Sequence, residues 1–525
     1  MTQYVTPHAL KKMLSDGREI ALLDTREHGL YGEGHPFYAT HLPYSRLEID
    51  APKLMPNPAV RIVLYGQDNE LANRAAMKLK SSGYQNVSIL EGGLDAWVES
   101  EYTLFKGVHV PSKAFGEIVE HRYQTPHITV DELKKWQDDK ASFVLLDGRT
   151  TGEFRKMSIP GAVCCPNAEL PYRIHTFVSD ETTPIVINCA GRTRSIIGAQ
   201  SLINMGIKNP VYALENGTQG WYLNDYALNT GEKARYGDVG EHDSTLSPVR
   251  EAAKELISQN RVVYLSADEA RRFLHDADRT TYVFDIRTPE EYLASGVPGM
   301  SHAEGGQLVQ GTDLYAGVRN SRVVLYDTDG VRAPLVASWL SQLGYETYLL
   351  KAEDAERALA GQQAKPVIGP GLQEVSAERV KQLVDAGSTQ ILDLRPSQDY
   401  RNAHIEGASW STRSRITRDV NPGVSTIVLI ASDPAVAALA ASELPHNRSS
   451  VVLLNRSDTK QWQNAGLNVV ATPDNPPDAD CIDFLFFVHD RHDGNKQAAR
   501  QYLAWETNLI NQMDDQEKAT YRFPF

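Results

Sequence analysis

The sequence predicts an α/β fold of four consecutive domains, each a three-layer α/β/α sandwich with a mainly parallel central sheet, followed by a C-terminal helical tail. With 525 residues, the chain is too long for one hydrophobic core. Short β-branched segments alternate with segments of helical periodicity, which is typical of parallel sheets covered by helices. One pattern, built around Asp-x-Arg, occurs four times along the chain.

Each copy of this pattern contains a strand that ends in Asp-x-Arg and a second apolar strand further along. From the aspartate to the residue that follows the second strand, the separation is 42 residues in the first three copies and 38 in the fourth. The copies begin more than a hundred residues apart, so each is a domain rather than a solenoid repeat. The aspartates and the residues after the second strand are Asp24 and Gly66, Asp147 and Cys189, Asp285 and Asp327, and Asp393 and Ala431.

The domain boundaries are predicted where the amino-acid composition changes to one typical of linkers. We expect domains over residues 1–105, 125–230, 260–357 and 373–470, with a tail over 478–525 that includes an amphipathic helix at Gln497–Met513. This helix should dock on another module or on a second subunit of a homodimer.

Composition excludes several classes of protein. The net charge of −14 argues against nucleic acid or an anionic membrane as the main partner. No apolar run is long enough to cross a bilayer, and the segment Met1–Pro7 has none of the features of a signal peptide. Four cysteines in this length do not form a disulfide framework, so we expect a cytoplasmic protein.

Chemistry is predicted at the loop Cys189–Ser195. It lies between the strand Ile185–Ile187 and the helix Ile196–Met205, at the sheet edge where α/β proteins bind ligands. The helix N-terminus offers unpaired N–H groups, and those around Gly191 could form an anion-binding nest. Two nearby arginines add positive charge. These features favour the thiolate form of Cys189, a nucleophile for anionic substrates or a carrier of a charged sulfur adduct.

These motifs together resemble those of rhodanese-type sulfurtransferases, and the chain looks like four tandem rhodanese modules of which one is catalytic. The likeness covers nearly everything except the last forty-odd residues. It rests on Asp147-Gly-Arg149, Ile159-Pro-Gly-Ala162, Cys189-Ala190-Gly191-Arg192-Thr193-Arg194-Ser195, and Leu214-Glu-Asn-Gly217 followed by Trp221.

The resemblance implies a ping-pong reaction without a cofactor or metal. The Cys189 thiolate would take the outer sulfur of a donor, and a thiol or cyanide acceptor would then remove it from the Cys189 persulfide. Residues 190–195 would bind the donor and the persulfide, with Arg192 and Arg194 attracting the donor and Ser195 either donating to Sγ or capping the helix. Thiosulfate is the favoured donor; 3-mercaptopyruvate or another persulfide is the alternative.

The other three modules are predicted to be inactive, because Gly66, Asp327 and Ala431 cannot carry a persulfide. A non-enzymatic persulfide carrier, sensor or scaffold is one alternative function. A phosphatase of the same fold is another, but such enzymes need an arginine after five spacer residues, where this chain has Ser195.

Several other polar residues have simpler interpretations. Asp147 and Arg149 recur in the inactive modules and are predicted to form a structural ion pair near the site. Cys164 and Cys165 could resolve a Cys189 adduct, but core packing is favoured. His489 and His492 lack diagnostic metal-ligand spacing, so no metal site is predicted there.

Overall fold

The computed structural model describes residues 3–240, 246–361, 372–445, 449–454, 459–489 and 495–524. Within these residues, no helix has the length and apolar character needed to span a membrane. The chain forms four α/β modules, two helical connectors and a helical C-terminal tail, so the predicted fold class is confirmed.

The first two modules share one architecture and are joined by the connector helix α6 (Val110–Tyr123). The elements of module 1 are β1 (Gln3–Val5), α1 (Pro7–Met13), β2 (Ala21–Asp24), α2 (His28–Glu33), β3 (Thr40–His41), α3 (Leu47–Leu54), β4 (Ile62–Tyr65), α4 (Asn69–Ser81), β5 (Val87–Leu90) and α5 (Gly93–Glu99). The elements of module 2 are β6 (His127–Ile128), α7 (Val130–Asp138), β7 (Val144–Asp147), α8 (Thr151–Lys156), β8 (Val163–Cys164), α9 (Leu170–Arg173), β9 (Ile185–Asn188), α10 (Thr193–Asn204), β10 (Val211–Leu214) and α11 (Gly217–Leu223).

Modules 3 and 4 repeat this order after the connector α12 (Leu246–Gln259). The elements of module 3 are β11 (Val263–Leu265), α13 (Ala267–Leu274), β12 (Thr281–Asp285), α14 (Pro289–Ser295), β13 (Ser301–His302), α15 (Gly305–Gln310), β14 (Arg322–Tyr326), α16 (Arg332–Gln342), β15 (Glu346–Leu350) and α17 (Ala352–Leu359). The elements of module 4 are β16 (Gln373–Glu374), α18 (Ala377–Asp385), β17 (Thr389–Asp393), α19 (Ser397–Asn402), β18 (His404–Ile405), β19 (Ser409–Trp410), α20 (Ile416–Asp419), β20 (Thr426–Ala431), α21 (Pro434–Ala441), β21 (Ser449–Leu454), α22 (Lys460–Asn464) and β22 (Val469–Val470).

The described residues of the tail form four helices. They are α23 (Phe486–His489), α24 (Lys496–Thr507), α25 (Leu509–Gln512) and α26 (Asp515–Lys518). Short 3₁₀ turns lie at Tyr44–Arg46, Asn167–Glu169, Ile174–Thr176, Thr312–Leu314 and Asp478–Asp480.

Each module has a five-stranded sheet whose strands pair in parallel. The strand orders are β1-β5-β4-β2-β3, β6-β10-β9-β7-β8, β11-β15-β14-β12-β13 and β16-β21-β20-β17-β19. In module 4, β18 and β22 add a separate antiparallel pair. The second strand of the repeated pattern is therefore central in every sheet, flanked on both sides, and its end lies in the middle of the carboxyl edge.

A buried ion pair closes the same corner of every module. The arginine of each Asp-x-Arg segment bonds the aspartate two residues earlier, with N···O distances of 2.6, 2.7, 2.6 and 2.5 Å from module 1 to module 4. It also donates to the carbonyl eight residues later, which belongs to Gly34, Met157, Ser295 or Ala403. The pair thus ties the strand end to the following helix, with or without a cysteine in the module.

The modules do not all have separate hydrophobic cores. One hydrophobic cluster includes residues of modules 1, 2 and 3, both connectors and the tail, whereas module 4 has its own two clusters. The segments predicted as linkers between modules contribute to this core, since α6 and α12 are regular helices whose apolar sides are buried. In the tail, His489 ends the short helix α23, and His492 lies outside the described residues.

Candidate active site

The strand β9 delivers Cys189 to the carboxyl edge of its sheet. All four β9 residues are buried, and the Cys189 side chain itself is only 2% exposed. The Ser195 hydroxyl, one turn into α10, donates to Cys189 Sγ at 3.2 Å. Of the two roles considered for Ser195, the structure therefore shows the contact with sulfur.

The start of α11 holds the loop from the opposite side. The Thr218 N–H donates to the Cys189 carbonyl at 2.8 Å, and the Gln219 N–H donates to the Ala190 carbonyl at 3.0 Å. This approach requires glycine at position 217, because a Cβ there would lie 2.2 Å from the Cys189 carbonyl oxygen and the residue has a φ of 50°.

The two loop arginines do not offer free positive charge. Arg192 makes two hydrogen bonds of 2.8 and 2.9 Å to Glu117 and another to Glu120. Arg194 bonds both carboxylate oxygens of Glu153, at 2.7 and 2.6 Å. The sequence predicted that these guanidinium groups would attract the donor. The structure instead places both in ion pairs, because their acidic partners come from α6 and α8, outside the loop.

Burial and ion pairing shift the pKa values of these groups in opposite directions. Burial alone would lower the pKa of Arg192, but the hydrogen-bonded carboxylates raise it above its usual range. Burial would likewise raise the pKa of Glu153, but the Arg194 guanidinium lowers it to about 2. Both ion pairs consequently stay charged at neutral pH.

The loop of module 3 shows which N–H groups of such a loop donate to the side chain at the cysteine-equivalent position. Asp327 stands where module 2 has Cys189, and its carboxylate accepts hydrogen bonds from the N–H groups of Gly330 and Ala333, at 3.0 and 2.7 Å. These donors are three and six residues after the aspartate. Arg192 and Ser195 occupy the same positions relative to Cys189.

In modules 1 and 4, one aspartate of the loop caps the helix that follows. Asp68 and Asp433, each two residues after the cysteine-equivalent position, cap α4 and α21 by accepting from the N–H groups of Glu70 and Ala435, both at 2.9 Å. In contrast, Arg192 at the N-cap of α10 makes no side-chain capping hydrogen bond in the described part of the chain. The N-cap residue of α16 makes no side-chain capping hydrogen bond either, but the first N–H groups of that helix donate to Asp327 and Asp329. Among the described residues, α10 is therefore the one of the four equivalent helices whose start has no carboxylate as acceptor.

Module 3 also repeats the contact made by Arg194. Arg332, five residues after Asp327, bonds Glu291 at 2.7 and 2.8 Å, as Arg194 bonds Glu153. Both glutamates belong to a capping box at the start of a helix. Since this pair occurs in a module without a cysteine, its common contribution is to hold the loop against the neighbouring helix.

Sequence reasoning missed a second layer of residues around the loop. Lys113 and Glu117 lie on α6, and Glu506 lies on α24, in a segment more than 300 residues from the cysteine. Gly116 allows α6 to approach closely, because a Cβ there would lie 2.7 Å from Thr193 Cγ2. Proline at the helix start and two glutamates in helical spacing were a signal for α6, but nothing local linked either helix to the cysteine.

Gln219 is the polar side chain whose position is hardest to explain by packing. It is 3% exposed, and neither its Nε2 nor its Oε1 has a hydrogen-bond partner among the described residues. Its Nε2 lies 3.6 Å from the place a Cβ of Gly191 would occupy. A buried amide in this situation is available to a bound substrate.

The remaining cysteines are buried thiols. Burial raises the pKa of Cys164 to about 12 and that of Cys165 well above its usual value. Cys164 donates to the Arg149 carbonyl, and no disulfide joins the four cysteines. Within the described residues, no group of three or more histidine, cysteine, aspartate or glutamate side chains is arranged to hold a metal ion.

Comparison with known proteins places the chain in a family. The Rhodanese-like domain model matches residues 6–100, 129–224, 266–352 and 376–466. The chain is 36% identical to a thiosulfate sulfurtransferase from Pseudomonas aeruginosa of known crystal structure, with 99% of both chains covered and a TM-score of 0.89. The Alr3790 protein from Anabaena sp. is 30% identical over 20% of this chain and 93% of its own, with a TM-score of 0.19. No curated protein matched the sequence. The chain therefore belongs to the rhodanese family, as a sulfurtransferase-type protein of four tandem rhodanese-like domains.

Proposed function

We propose that this protein transfers sulfane sulfur through a persulfide on Cys189. The observation that carries the proposal is the loop itself. It combines a cysteine at a central strand end, a hydroxyl that donates to its sulfur, and a helix N-terminus for which the described residues provide no side-chain cap. A persulfide anion on Cys189 would accept hydrogen bonds from the N–H groups of Arg192 and Ser195, which correspond in sequence to the groups that donate to Asp327 in module 3.

The reaction proceeds in two displacements. The Cys189 thiolate attacks the outer sulfur of the donor, the donor's sulfur–sulfur bond breaks, and the leaving group departs with the bonding electron pair. With thiosulfate, the leaving group is sulfite. An acceptor thiolate or cyanide then attacks the outer sulfur of the persulfide, which restores the Cys189 thiolate and gives a new persulfide or thiocyanate.

Thiosulfate remains the favoured donor in this proposal, on the basis of the similarity to the Pseudomonas aeruginosa enzyme. The charge of the two arginines no longer supports this choice, since both guanidinium groups are already paired. The other three modules lack a nucleophile at the equivalent position and serve as scaffold.

The test is to incubate the protein with thiosulfate and to weigh the intact chain. We expect a gain of one sulfur atom, lost again on addition of cyanide, and none in the Cys189→Ser variant. Cys481→Ser is the matched control, because Cys481 is also buried but lies in the tail. A Cys189→Ser variant that still gained sulfur would contradict the proposal. Loading without turnover by any acceptor would instead support the persulfide carrier.

A further inference from the structure

A helix from outside the rhodanese modules reaches the catalytic loop. The Glu506 side chain on α24 is 1% exposed, and its Oε1 accepts a hydrogen bond from Thr193 Oγ1 at 2.7 Å. Its Oε2 lies 3.0 Å from the place a Cβ of Gly191 would occupy, and Leu503 contacts the same place. The chain end therefore covers two of the residues that would surround a bound sulfur donor.

The contact is fixed by a buried network, not by a loose surface approach. Lys113 on α6 bonds Tyr502 and lies 3.3 Å from Glu506 Oε1. Trp505 packs over Gly107, where a Cβ would lie 2.5 Å from the indole ring. Lys496 at the start of α24 pairs with Asp225, next to α11. Glu506 is thus held at the loop by contacts along the whole of its helix.

Ion pairs surround the loop. Among the described residues, they join Arg192, Arg194 and Lys113 to the carboxylates of Glu117, Glu120, Glu153 and Glu506. Of these carboxylates, Glu506 is the one that contacts Thr193 and the Gly191 position directly, so its charge acts at short range on an anion bound there.

We propose that Glu506 is a specificity-determining residue that makes the site discriminate between sulfur donors by their negative charge. The inference rests on the proposed sulfur transfer at Cys189 and adds to it a substrate preference. A carboxylate beside the donor position disfavours each additional negative charge on the donor, and the buried surroundings weaken the interaction less than water would.

Two donors separate charge from chemistry. Thiosulfate is a dianion and methanethiosulfonate a monoanion, and both carry a transferable outer sulfur. Attack by the Cys189 thiolate gives the same persulfide from each, with sulfite or methanesulfinate leaving with the electron pair. The ratio of kcat/KM for the two donors therefore reports the effect of one unit of charge.

The experiment measures this ratio in the full-length protein and in Glu506→Gln. Glutamine keeps an oxygen that can accept from Thr193 but removes the charge. For one charge acting over about 10 Å or less at an effective dielectric constant of about 20, we expect the ratio to shift at least about tenfold towards thiosulfate. Glu517→Gln is the matched control: Glu517 is also a buried tail glutamate, but it pairs with Lys11 in module 1. Its ratio should not change.

A second variant tests the inference independently, in case Glu506→Gln does not fold. Lys113→Met removes the cation beside Glu506, so the ratio should shift in the opposite direction, towards methanethiosulfonate. An unchanged ratio in either folded variant would overturn the inference. Failure of the wild-type protein to load sulfur from either donor would instead refute the proposed function, so the two outcomes are distinct.

Discussion

The Asp-x-Arg ion pairs provide an internal replicate, because the same substitution can be made in the module that carries Cys189 and in a module that has glycine at the equivalent position. Asp147 and Asp24 are both fully buried, and each accepts hydrogen bonds from the backbone and the guanidinium of the arginine two residues later. In Asp147→Asn or Asp24→Asn, the buried guanidinium loses its counterion. Removing one partner of such a pair costs about 3–5 kcal/mol in unfolding free energy.

This cost should be visible as a lower midpoint of thermal unfolding. Because the cores of modules 1 to 3 are continuous, we take the smaller sensitivity of large domains, about 2 °C per kcal/mol, and expect a fall of roughly 6–10 °C for each variant. Calorimetry or circular dichroism at neutral pH measures it. A fall of only about 2 °C would correspond to roughly 1 kcal/mol and would refute the view that the pair stabilises the fold.

The two variants should lose similar stability but differ in activity. Asp147 also accepts a hydrogen bond of 2.9 Å from Asn188 Nδ2, and Asn188 immediately precedes Cys189. Asp147→Asn should therefore slow sulfur loading at a temperature where the protein is folded, and Asp24→Asn should not. Equal loss of activity in both variants would show that sulfur loading is slowed by the lower global stability and not by loss of the Asn188 contact.

Three further predictions concern single contacts. Ser195→Ala removes the hydrogen bond to Cys189 Sγ, and since a bond to a charged group contributes about 1.5–3 kcal/mol, rapid-mixing measurements should show persulfide formation slowed roughly 10- to 100-fold. Arg332→Leu leaves Asp329, Glu169 and Glu291 without their shared cation, so thermal unfolding and limited proteolysis should show loosened contact between modules 2 and 3. Burial, and then Asp329, raises the pKa of Asp327 to about 7, so the folded protein holds a proton that the unfolded chain has lost. The stability contributed by this group falls as pH rises from about 4 to 7, and Asp327→Asn should remove that part of the pH dependence of thermal unfolding.

The sequence predicted the fold well because each module carries its own local signals. Buried β-branched strands such as Ile185–Asn188, and the separation of 42 residues from Asp147 to Cys189, are sufficient to identify a repeated α/β unit. The two connector segments were predicted less well. Their helices are stabilised by burial against neighbouring modules, as at Gly116 against Thr193, and such contacts leave no local pattern.

The electrostatic character of the site was also beyond the sequence. When only the neighbouring residues in the chain are considered, Arg192 and Arg194 indicate a positively charged loop. Their partners are 75, 72 and 41 residues away, and Glu506 is 313 residues from Thr193. The charge of a site depends on which acids pack against it, and only the tertiary structure gives that information.

The three modules without a cysteine at this position indicate what the Cys189 loop needs. A helix N-terminus at a buried strand end presents N–H groups that must find an acceptor. Modules 1, 3 and 4 meet this need with a carboxylate of their own, from Asp68, Asp327 or Asp433. Module 2 has no such residue at these positions. In the proposed persulfide state, a terminal sulfur anion would accept hydrogen bonds equivalent to those that the aspartates accept in the other three modules, and it would do so although both loop arginines are paired.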